Sequence, residues 1–304
     1  MPTLLLSHTD CEKHMMLPHH PESPERLRAI HAALANKPHL DWRDAREIDD
    51  AHFQGIHPRQ YLELLAELKP GEGIAKIDAD TSLNKYSLRA ARLAAGAGLQ
   101  GVESVMSGQY RNAFCAVRPP GHHAEAAIGM GFCIFNNIAL AAERALSLGA
   151  ERVAILDFDV HHGNGTVEIF QDRPEVLVCS SFQYPFYPGR YDDVNKPNIC
   201  LTPLPEGTSG STFRTAIERD WLPALVRHRP DIILVSAGFD AHRDDPLAGL
   251  LLDDADYGWL GQIIRAQADR YCQGRLVSML EGGYNTEALA RSVVQYLGSH
   301  AETQ

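Results

Sequence analysis

Short, continuous hydrophobic runs alternate with longer stretches of helical composition from residue 112 to the end of the chain. The runs are rich in Val, Ile and Leu, a pattern typical of strands buried on both faces of a parallel sheet. They lie at residues 112–117, 153–160, 176–182, 231–239 and 275–281. The candidate helices lie at residues 136–148, 210–228, 256–273 and 286–297. This repeated β-α order predicts an α/β fold.

The N-terminal third has a different pattern. Its helical stretches, at residues 24–35, 58–68 and 87–107, are separated by the turn-rich segments LPHHPESPER and KPGEGIAKIDADTS. We expect this region to form helices and loops that pack over one side of the sheet. Because neither a low-complexity linker nor an internal repeat interrupts the chain, residues 1–304 are predicted to form a single domain.

Composition and charge narrow the function classes. The chain carries 28 Lys and Arg against 39 Asp and Glu, a formal net charge of −11, and 44% of its residues are hydrophobic. The hydrophobic fraction is ordinary for a folded protein with a substantial core. The negative charge argues against direct nucleic-acid binding, which depends on clustered positive charge, and suits a cationic substrate better.

Targeting signals and disulfide patterns are not evident in the sequence. The start, MPTLLLSHTD, has no basic segment typical of a secretory signal, and no apolar stretch approaches the roughly 18 residues needed to cross a bilayer. We therefore expect a cytoplasmic enzyme without membrane contact. The six cysteines are scattered without a CxxC pair, so free, mostly buried thiols are expected. No feature of the sequence specifies an oligomeric state.

The segment ILDFDVHHGNGT begins as an apolar strand and runs into glycines. In an extended chain Asp157, Asp159 and His161 point to one side, because side chains alternate. Carboxylates at the end of an apolar strand are costly without a partner, so a cation accounts for them best. A lone DxD is more often an exposed loop feature, but here it is combined with adjacent histidines and glycines. The segment therefore predicts a metal site.

A second strand, at residues 231–239, ends just before Asp240. Ligand sites of open α/β sheets lie beyond the carboxyl ends of the strands, so Asp240 is expected to meet Asp159 and His161. Two carboxylates and one imidazole leave a position free for water and substrate, as in catalytic zinc sites. Oxygen-rich ligation is also compatible with Fe²⁺ or another divalent ion.

Two further strand ends carry groups suited to proton transfer. His122 and His123 follow one strand in RPPGHH, and an imidazole exchanges protons near neutral pH. Further metal ligands or solvated loop residues are the alternatives for this pair. Tyr284 follows another strand in LEGGY, where a phenol can donate a hydrogen bond to a developing oxyanion. Taken alone, such a tyrosine is more often a packing residue.

Together, RPPGHH, GMGFCIFNN, DFDVHHGNG, SAGFDAHRDDPLAG and LEGGY resemble, in order and spacing, the motif series of the histone deacetylase and acetylpolyamine amidohydrolase superfamily. The resemblance covers nearly the whole chain. It implies an arginase-like, three-layer α/β fold in which a central parallel sheet of about eight strands lies between helices.

The resemblance also implies roles for the residues of the site. The zinc ligands would be Asp159, His161 and Asp240. The catalytic group would comprise His122, His123 and Tyr284, with Asp157 paired to His122 and Asn164 in place of a second aspartate behind His123. This asparagine and Glu281 before GlyGlyTyr resemble class II enzymes, so the imidazolium of His123 should be less stabilised by a carboxylate.

A narrow acyl-lysine channel is implied as well. Phe132 and Tyr187 match its two aromatic residues, Gly131 lies beside them in GMGFC, and Arg26 matches an arginine near the pocket floor. Leu247 stands where the polyamine-specific branch carries a glutamate, which favours acyl-lysine over long polyamines. A structural potassium site would involve Asp157, Asp159, His161 and Ser180. Phe182 replaces a histidine of many members and departs from the pattern of that site.

The expected function is zinc-dependent removal of acetyl or related acyl groups from acyl-lysine, in a peptide, a protein or an acetylated small amine. Metal-activated water would attack, with a histidine as general base and Tyr284 as oxyanion donor. An acetylpolyamine or small-metabolite deacetylase on the same fold is the nearest alternative. A dimanganese hydrolase would need more carboxylates than one ligand set, and a non-catalytic acyl-ligand binder would not need the base and the phenol.

Overall fold

Eight parallel strands form the central sheet of the computed structural model, which describes residues 2–298. The strands are β1 (Thr3–Ser7), β2 (Leu40–Asp44), β5 (Asn112–Cys115), β6 (Val153–Asp157), β7 (Val176–Gln183), β8 (Ile199–Leu204), β9 (Ile232–Ala237) and β10 (Leu276–Leu280), and their order across the sheet is β2-β1-β5-β10-β9-β6-β7-β8. A separate two-stranded hairpin pairs β3 (Ala75–Lys76) with β4 (Ser82–Leu83). Most strands of the large sheet are buried along their whole length, as the continuous hydrophobic runs predict.

Helices flank the sheet in two groups. The α-helices are α1 (Glu25–Leu34), α2 (Arg59–Leu68), α3 (Ser87–Met106), α4 (Asn137–Ser147), α5 (Asn164–Phe170), α6 (Gly210–His228), α7 (Asp254–Tyr271) and α8 (Thr286–Gly298), with short 3-10 helices at Thr9–Lys13 and Asp50–Phe53. One group packs as α3, α4 and α5, and the other as α1, α8, α7 and α6. This three-layer architecture confirms the α/β, deacetylase-like fold class.

The prediction for the N-terminal third was wrong in two respects. Its helices do not all pack over one side of the sheet, because α1 packs in the group of α8 and α3 in the group of α4. Its three helices are present, but β1 and β2 also belong to the large sheet and extend it beyond β5. Both strands have only five residues, and β2 lies at the sheet edge, half exposed, with the polar sequence LDWRD. Such a strand lacks the long apolar run by which central strands are recognised.

The order of the strands places the chemistry. β5, β10, β9 and β6 are consecutive neighbours, so the segments that follow them meet at one edge of the sheet. These segments carry RPPGHH, EGGY, GFD and FDVHH. Among residues 2–298, no helix is both long and apolar enough to span a membrane.

Candidate active site

Two acids and one histidine come together beyond neighbouring strands. Asp159 and His161 follow β6, Asp240 follows β9, and the two strands are paired. His161 Nδ1 lies 3.1 Å from Asp159 Oδ1 and 3.2 Å from Asp240 Oδ2. All three residues are buried, and one ligand atom from each lies within 4.8 Å of the others. The three residues predicted as metal ligands therefore form one cluster.

The surroundings of this cluster fit a divalent cation. Gly282 passes so close that a Cβ there would lie 2.0 Å from Asp240 Oδ2 and 2.6 Å from Asp159 Oδ2. Burial opposes a charge on His161, but hydrogen bonds to the two carboxylates raise its pKa to about 10. The imidazolium thus helps to balance two buried carboxylates. A divalent cation would serve the same purpose, and imidazole nitrogen and carboxylate oxygen are donors that zinc accepts.

Asp157 lies apart from this cluster. The alternation of an extended strand predicts that Asp157, Asp159 and His161 share one face, but β6 ends at Asp157 and the backbone then leaves the sheet. The Asp157 carboxylate instead lies 2.9 Å from His122 Nδ1 and accepts the backbone N–H of Asp159 at 3.1 Å. The pairing with His122 is the one that the family resemblance implied.

His122 and His123 follow β5, and their ring centroids lie 4.0 Å apart. Burial opposes a charge on His122, but the carboxylates of Asp157 and Asp159 outweigh it and raise the pKa well above its ordinary value. His123 Nδ1 meets only the neutral amide of Asn164, at 2.8 Å. Burial and the charge of His122 lower the pKa of His123 well below its ordinary value. This histidine pair thus holds one protonated and one neutral imidazole at neutral pH.

Tyr284 follows β10 after two glycines, and its ring lines a narrow cavity. Its backbone N–H donates to Asp245 Oδ2 at 2.7 Å. The Arg26 guanidinium lies 5.0 Å from the ring centroid. Burial, followed by the charge of Asp240, raises the pKa of Tyr284 well above its ordinary value. The phenol is therefore protonated at neutral pH and can donate a hydrogen bond.

The cavity has a volume of about 90 Å³ and reaches His161 of the predicted metal ligands and His123 of the histidine pair. Its lining residues are Asp80, His123, Gly131, Phe132, His161, Tyr187, Leu247 and Tyr284. The Tyr187 ring lies edge-on to His123, with centroids 5.2 Å apart, and the Phe132 ring lies edge-on to Tyr284, at 5.7 Å. A larger depression of about 690 Å³ beside β1 and β2 contains none of the predicted site residues.

One of the five predicted channel residues is not part of this lining. Arg26 is fully buried behind the turn that carries Tyr284, and it donates to the backbone carbonyls of Gly283, at 2.7 Å, and Glu281. It also donates to Glu22 Oε1 at 3.1 Å. The guanidinium therefore supports the turn from behind without lining the cavity, and its predicted place near the pocket floor stays a prediction.

The residues predicted for a potassium site lie next to the cluster. Ser180 on β7 is the register partner of Asp157 on β6. The Ser180 hydroxyl lies 2.9 Å from His162 Nδ1, and the Phe182 ring packs against His162 with centroids 4.3 Å apart. The potassium assignment stays a prediction.

Three acidic residues near the site were not assigned a role from the sequence. Asp80 lines the cavity, Asp245 holds the backbone of Tyr284, and Glu125 lies behind Asn164. Asp245 lies within the quoted motif RDDPLAG and Glu125 lies two residues after RPPGHH, and these positions are the only signal that marks them. Asp80 lies in a turn-rich segment with no such signal.

Comparison with known proteins places this site in a family. The family model described as a histone deacetylase domain matches residues 20–299. An uncharacterised protein of Synechocystis sp., slr0245, is 42% identical over 94% of this chain and 95% of its own length. A histone deacetylase-like amidohydrolase of Pseudomonas aeruginosa is 38% identical over 88% of this chain and 73% of its own length. The crystal structure of the HDA15 HD domain superposes with a TM-score of 0.92 at 34% identity, over 100% of this chain and 91% of that one.

Proposed function

Because the chain belongs to the histone deacetylase family, we propose that it is a metal-dependent amidohydrolase that removes acetyl or related acyl groups from the side-chain amine of acyl-lysine. One observation carries this proposal. A single narrow cavity is lined by His161 of the metal cluster, by the neutral imidazole of His123 and by the phenol of Tyr284. These groups supply a metal ligand, a base and an oxyanion donor at one point.

The shape of the cavity supports an acyl-lysine substrate. Phe132 and Tyr187 contribute aromatic walls, and Leu247 adds an aliphatic one. Such walls suit the unbranched, apolar methylene chain of a lysine side chain, with its acylated nitrogen at the inner end. The volume of about 90 Å³ leaves no room for a bulky or branched side chain.

Asp159, His161 and Asp240 would hold the metal, with Zn²⁺ as the ion that fits the donors and Fe²⁺ as the alternative. When bound, the metal supplies Lewis-acid chemistry, which polarises the amide carbonyl and lowers the pKa of a coordinated water. The protein supplies the positions of the donors and excludes bulk water, since all three residues are buried.

The remaining steps are proton transfers by the side chains. His123 is neutral, so it can accept a proton from the attacking water and then deliver it to the leaving amine. His122 keeps its proton beside Asp157 and places a positive charge next to the reacting centre. Tyr284 donates its hydroxyl proton in a hydrogen bond to the carbonyl oxygen as negative charge develops there.

A kinetic and metal-binding experiment tests this function. Release of acetate from an acetyl-lysine peptide is measured after chelation and reloading with Zn²⁺ or Fe²⁺. Tyr284→Phe is expected to lower kcat roughly 100- to 1000-fold, as for loss of one oxyanion donor. Tyr184→Phe is the matched control, because Tyr184 is 46% exposed and outside the cavity lining. An unchanged kcat in Tyr284→Phe would remove the phenol from the mechanism.

Metal content provides a second readout. Asp240→Asn replaces a charged ligand by a neutral one of the same shape, and elemental analysis should show that the variant no longer retains one equivalent of zinc. Asp244→Asn, at an exposed neighbouring acid, is the control. Equal zinc retention by both variants contradicts the assignment of Asp240 as a ligand.

One observation favours acetylated polyamines as a second candidate substrate. Asp80 lines the cavity, and burial together with the charge of Asp78 raises its pKa above the ordinary value. A cationic amine at this position would relieve the repulsion between the two carboxylates. The values of kcat/KM for acetyl-lysine peptide and N-acetylputrescine discriminate between the candidates, and a strong preference for acetylputrescine would replace the acyl-lysine assignment.

A further inference from the structure

The partner of His123 is itself held from behind by a buried acid. His123 Nδ1 lies 2.8 Å from Asn164 Oδ1, and Asn164 Nδ2 donates to Glu125 Oε1 at 2.9 Å. Glu125 and Asn164 are buried, at 2% and 0% exposure. Arg190 closes the chain of contacts towards solvent with two hydrogen bonds of 2.7 Å to the Glu125 carboxylate. The order from the cavity outwards is imidazole, amide, carboxylate and guanidinium.

The carboxylate determines which way the amide faces. A carboxylate can only accept hydrogen bonds, so Asn164 must turn its NH₂ group towards Glu125. In the flipped orientation, Asn164 Oδ1 would face Glu125 Oε1 at hydrogen-bonding distance, and two acceptors would repel each other in a buried site. The second N–H of the amide points to the His123 carbonyl oxygen at 3.4 Å and the Met130 sulfur at 3.5 Å, both acceptors. Every contact of the NH₂ group thus favours the same orientation.

The orientation of the amide in turn determines the tautomer of the imidazole. Because Asn164 presents only its oxygen to His123, Nδ1 must carry the proton and donate it. A neutral ring with its proton on Nδ1 has a lone pair on Nε2. The opposite tautomer would set the Nδ1 lone pair against the amide oxygen and would leave Nε2 unable to accept a proton.

We propose that Glu125 is a positioning residue that, through Asn164, keeps the proton of His123 on Nδ1 and Nε2 free to act as the base. The use of Nε2 as a base rests on the proposed function, whereas the tautomer itself does not. The charge of Glu125 reaches His123 only through a neutral amide and is balanced by Arg190, so the imidazole is oriented without being converted to an imidazolium.

Two substitutions of Glu125 separate positioning from charge. Glu125→Gln can keep an acceptor oxygen towards Asn164 and lets the half-exposed Arg190 turn to solvent. Glu125→Met retains the side-chain length but replaces the carboxylate by a thioether, a much weaker acceptor, so the amide of Asn164 loses the strongest contact that orients it. Glu168→Met is the matched control, because the Glu168 side chain holds the next residue of the same loop through the N–H of Ala126 at 2.9 Å and makes no hydrogen bond to the side-chain amide of Asn164.

The direct readout is the tautomer in the metal-free protein. Long-range ¹H–¹⁵N NMR spectra distinguish protonated from unprotonated ring nitrogens, and the His123 signals are assigned by their loss in His123→Gln. We expect Nδ1–H in the wild type, in Glu125→Gln and in Glu168→Met, and a mixed or Nε2–H form in Glu125→Met. An unchanged Nδ1–H form in Glu125→Met, or equal changes in both Glu125 variants, would overturn the proposal.

Kinetics of the zinc-loaded enzyme give the second readout. Glu125→Met is expected to lower kcat roughly 10- to 100-fold with little change in KM, as is typical when a residue that orients a site histidine is lost. Glu125→Gln should recover most of that loss. A wild-type protein that shows the Nδ1–H tautomer but releases no acetate would refute the proposed function and leave the positioning role standing. An active deacetylase in which the His123 tautomer does not respond to substitution of Glu125 would refute the positioning role and leave the proposed function standing.

Discussion

His122 and His123 are adjacent in the chain, with ring centroids 4.0 Å apart, yet their pKa values are displaced in opposite directions. Both rings are buried, so the difference comes from the charges around them and above all from what each Nδ1 meets. His122 faces the carboxylate of Asp157, whereas His123 faces the neutral amide of Asn164. The protein thus places an imidazolium and a neutral imidazole side by side, and the choice between carboxylate and amide partner assigns the two roles.

Exchanging the amide for a carboxylate should change the pH dependence of the reaction. In the wild type, the pKa of His123 lies well below 6.5, so kcat/KM should not fall through loss of the base until the pH is well below that value. In the double variant Asn164→Asp/Glu125→Gln, the new carboxylate lies 2.8 Å from Nδ1 and can accept from the glutamine NH₂ group, so it favours the imidazolium and should raise this pKa by roughly 1 to 3 units. The acid limb of kcat/KM is then expected to move to higher pH. An acid limb at the wild-type position would contradict this account.

Asp245 and Glu281 both accept hydrogen bonds from backbone N–H groups of the site, but they use their two oxygens differently. Their amide variants can therefore be compared as a matched pair. The two oxygens of Asp245 accept from different donors, the N–H of Leu247 at 3.0 Å and the N–H of Tyr284 at 2.7 Å. In Asp245→Asn, the side-chain NH₂ group must face one of these N–H groups, so that two hydrogen-bond donors meet and one N–H loses its acceptor. We expect a loss of about 1–3 kcal/mol in the free energy of unfolding, the cost of an unsatisfied buried donor, and a lower kcat because Tyr284 is displaced.

Glu281→Gln should have a much smaller effect. One oxygen of Glu281 accepts both backbone N–H groups, from Gly121 at 2.7 Å and His122 at 3.1 Å, and the other meets the hydroxyl of Ser236 at 3.0 Å. A glutamine can keep its carbonyl oxygen towards both N–H groups while its NH₂ group donates to the hydroxyl. Urea unfolding and steady-state kinetics on both variants test the pair, and equal losses in the two would refute the argument.

The sequence predicted the parts of the site that follow long apolar strands. Asp159, His161 and Asp240 come directly after central strands, and the parallel order of the sheet alone brings such ends together. Glu125 and Asp245 escaped assignment because their roles depend on which loop groups face them in three dimensions. For the same reason, PESPERL does not reveal that Arg26 approaches the turn before Tyr284 from behind.

The limits of the fold prediction have a similar cause. The central strands are recognisable because both of their faces are buried, whereas β2 and β8 lie at the edges of the sheet. β8 also contains Pro203, which is tolerated at an edge but argues against a strand when only the sequence is read. Extended-strand alternation predicted a shared face for Asp157 and Asp159; the strand ends at Asp157, and both carboxylates lie against the imidazole of His122.

Gly131 is predicted to be indispensable for the placement of His123. It has φ +57°, and a Cβ there would lie 2.5 Å from His123 Cδ2. Gly189 has a similar φ of +65°, but nothing lies within 4 Å of its Cβ position. Both alanine variants bear a left-handed backbone cost of roughly 1–2 kcal/mol, while only Gly131→Ala also pushes on the imidazole. We therefore expect both alanine variants to lose thermal stability through the backbone cost, with an added loss in Gly131→Ala from the clash with His123. A fall in kcat is expected only for Gly131→Ala. A fall of the same size in Gly189→Ala would show that backbone strain, not contact with His123, limits the rate.

His57 should make stability depend on pH away from the site. Its ring is 3% exposed, accepts the N–H of Asn136 on Nε2 at 2.9 Å and donates from Nδ1 to the carbonyl of Ala126 at 2.8 Å. Burial lowers the pKa of His57 to about 4, below the ordinary value of 6.5 for an unfolded chain. As the pH falls, the His57 imidazole therefore becomes protonated in the unfolded state at a higher pH than in the folded state. The stabilisation is complete above about pH 6.5 and is lost towards pH 4, by up to about 1.4 kcal/mol per pH unit.

His57→Gln keeps a donor and an acceptor at this position but does not titrate. The free energy of unfolding is measured in urea at pH 7, 6 and 5. As the pH is lowered, it should fall less steeply for the variant than for the wild type, and the difference in slope should correspond to the uptake of at most one proton on unfolding. The sign is decisive, because a histidine stabilised as its imidazolium would give the opposite curvature and lose stability as the pH rises. Two parallel curves would mean that His57 takes up its proton equally in the folded and unfolded states, contrary to its burial between Asn136 and Ala126.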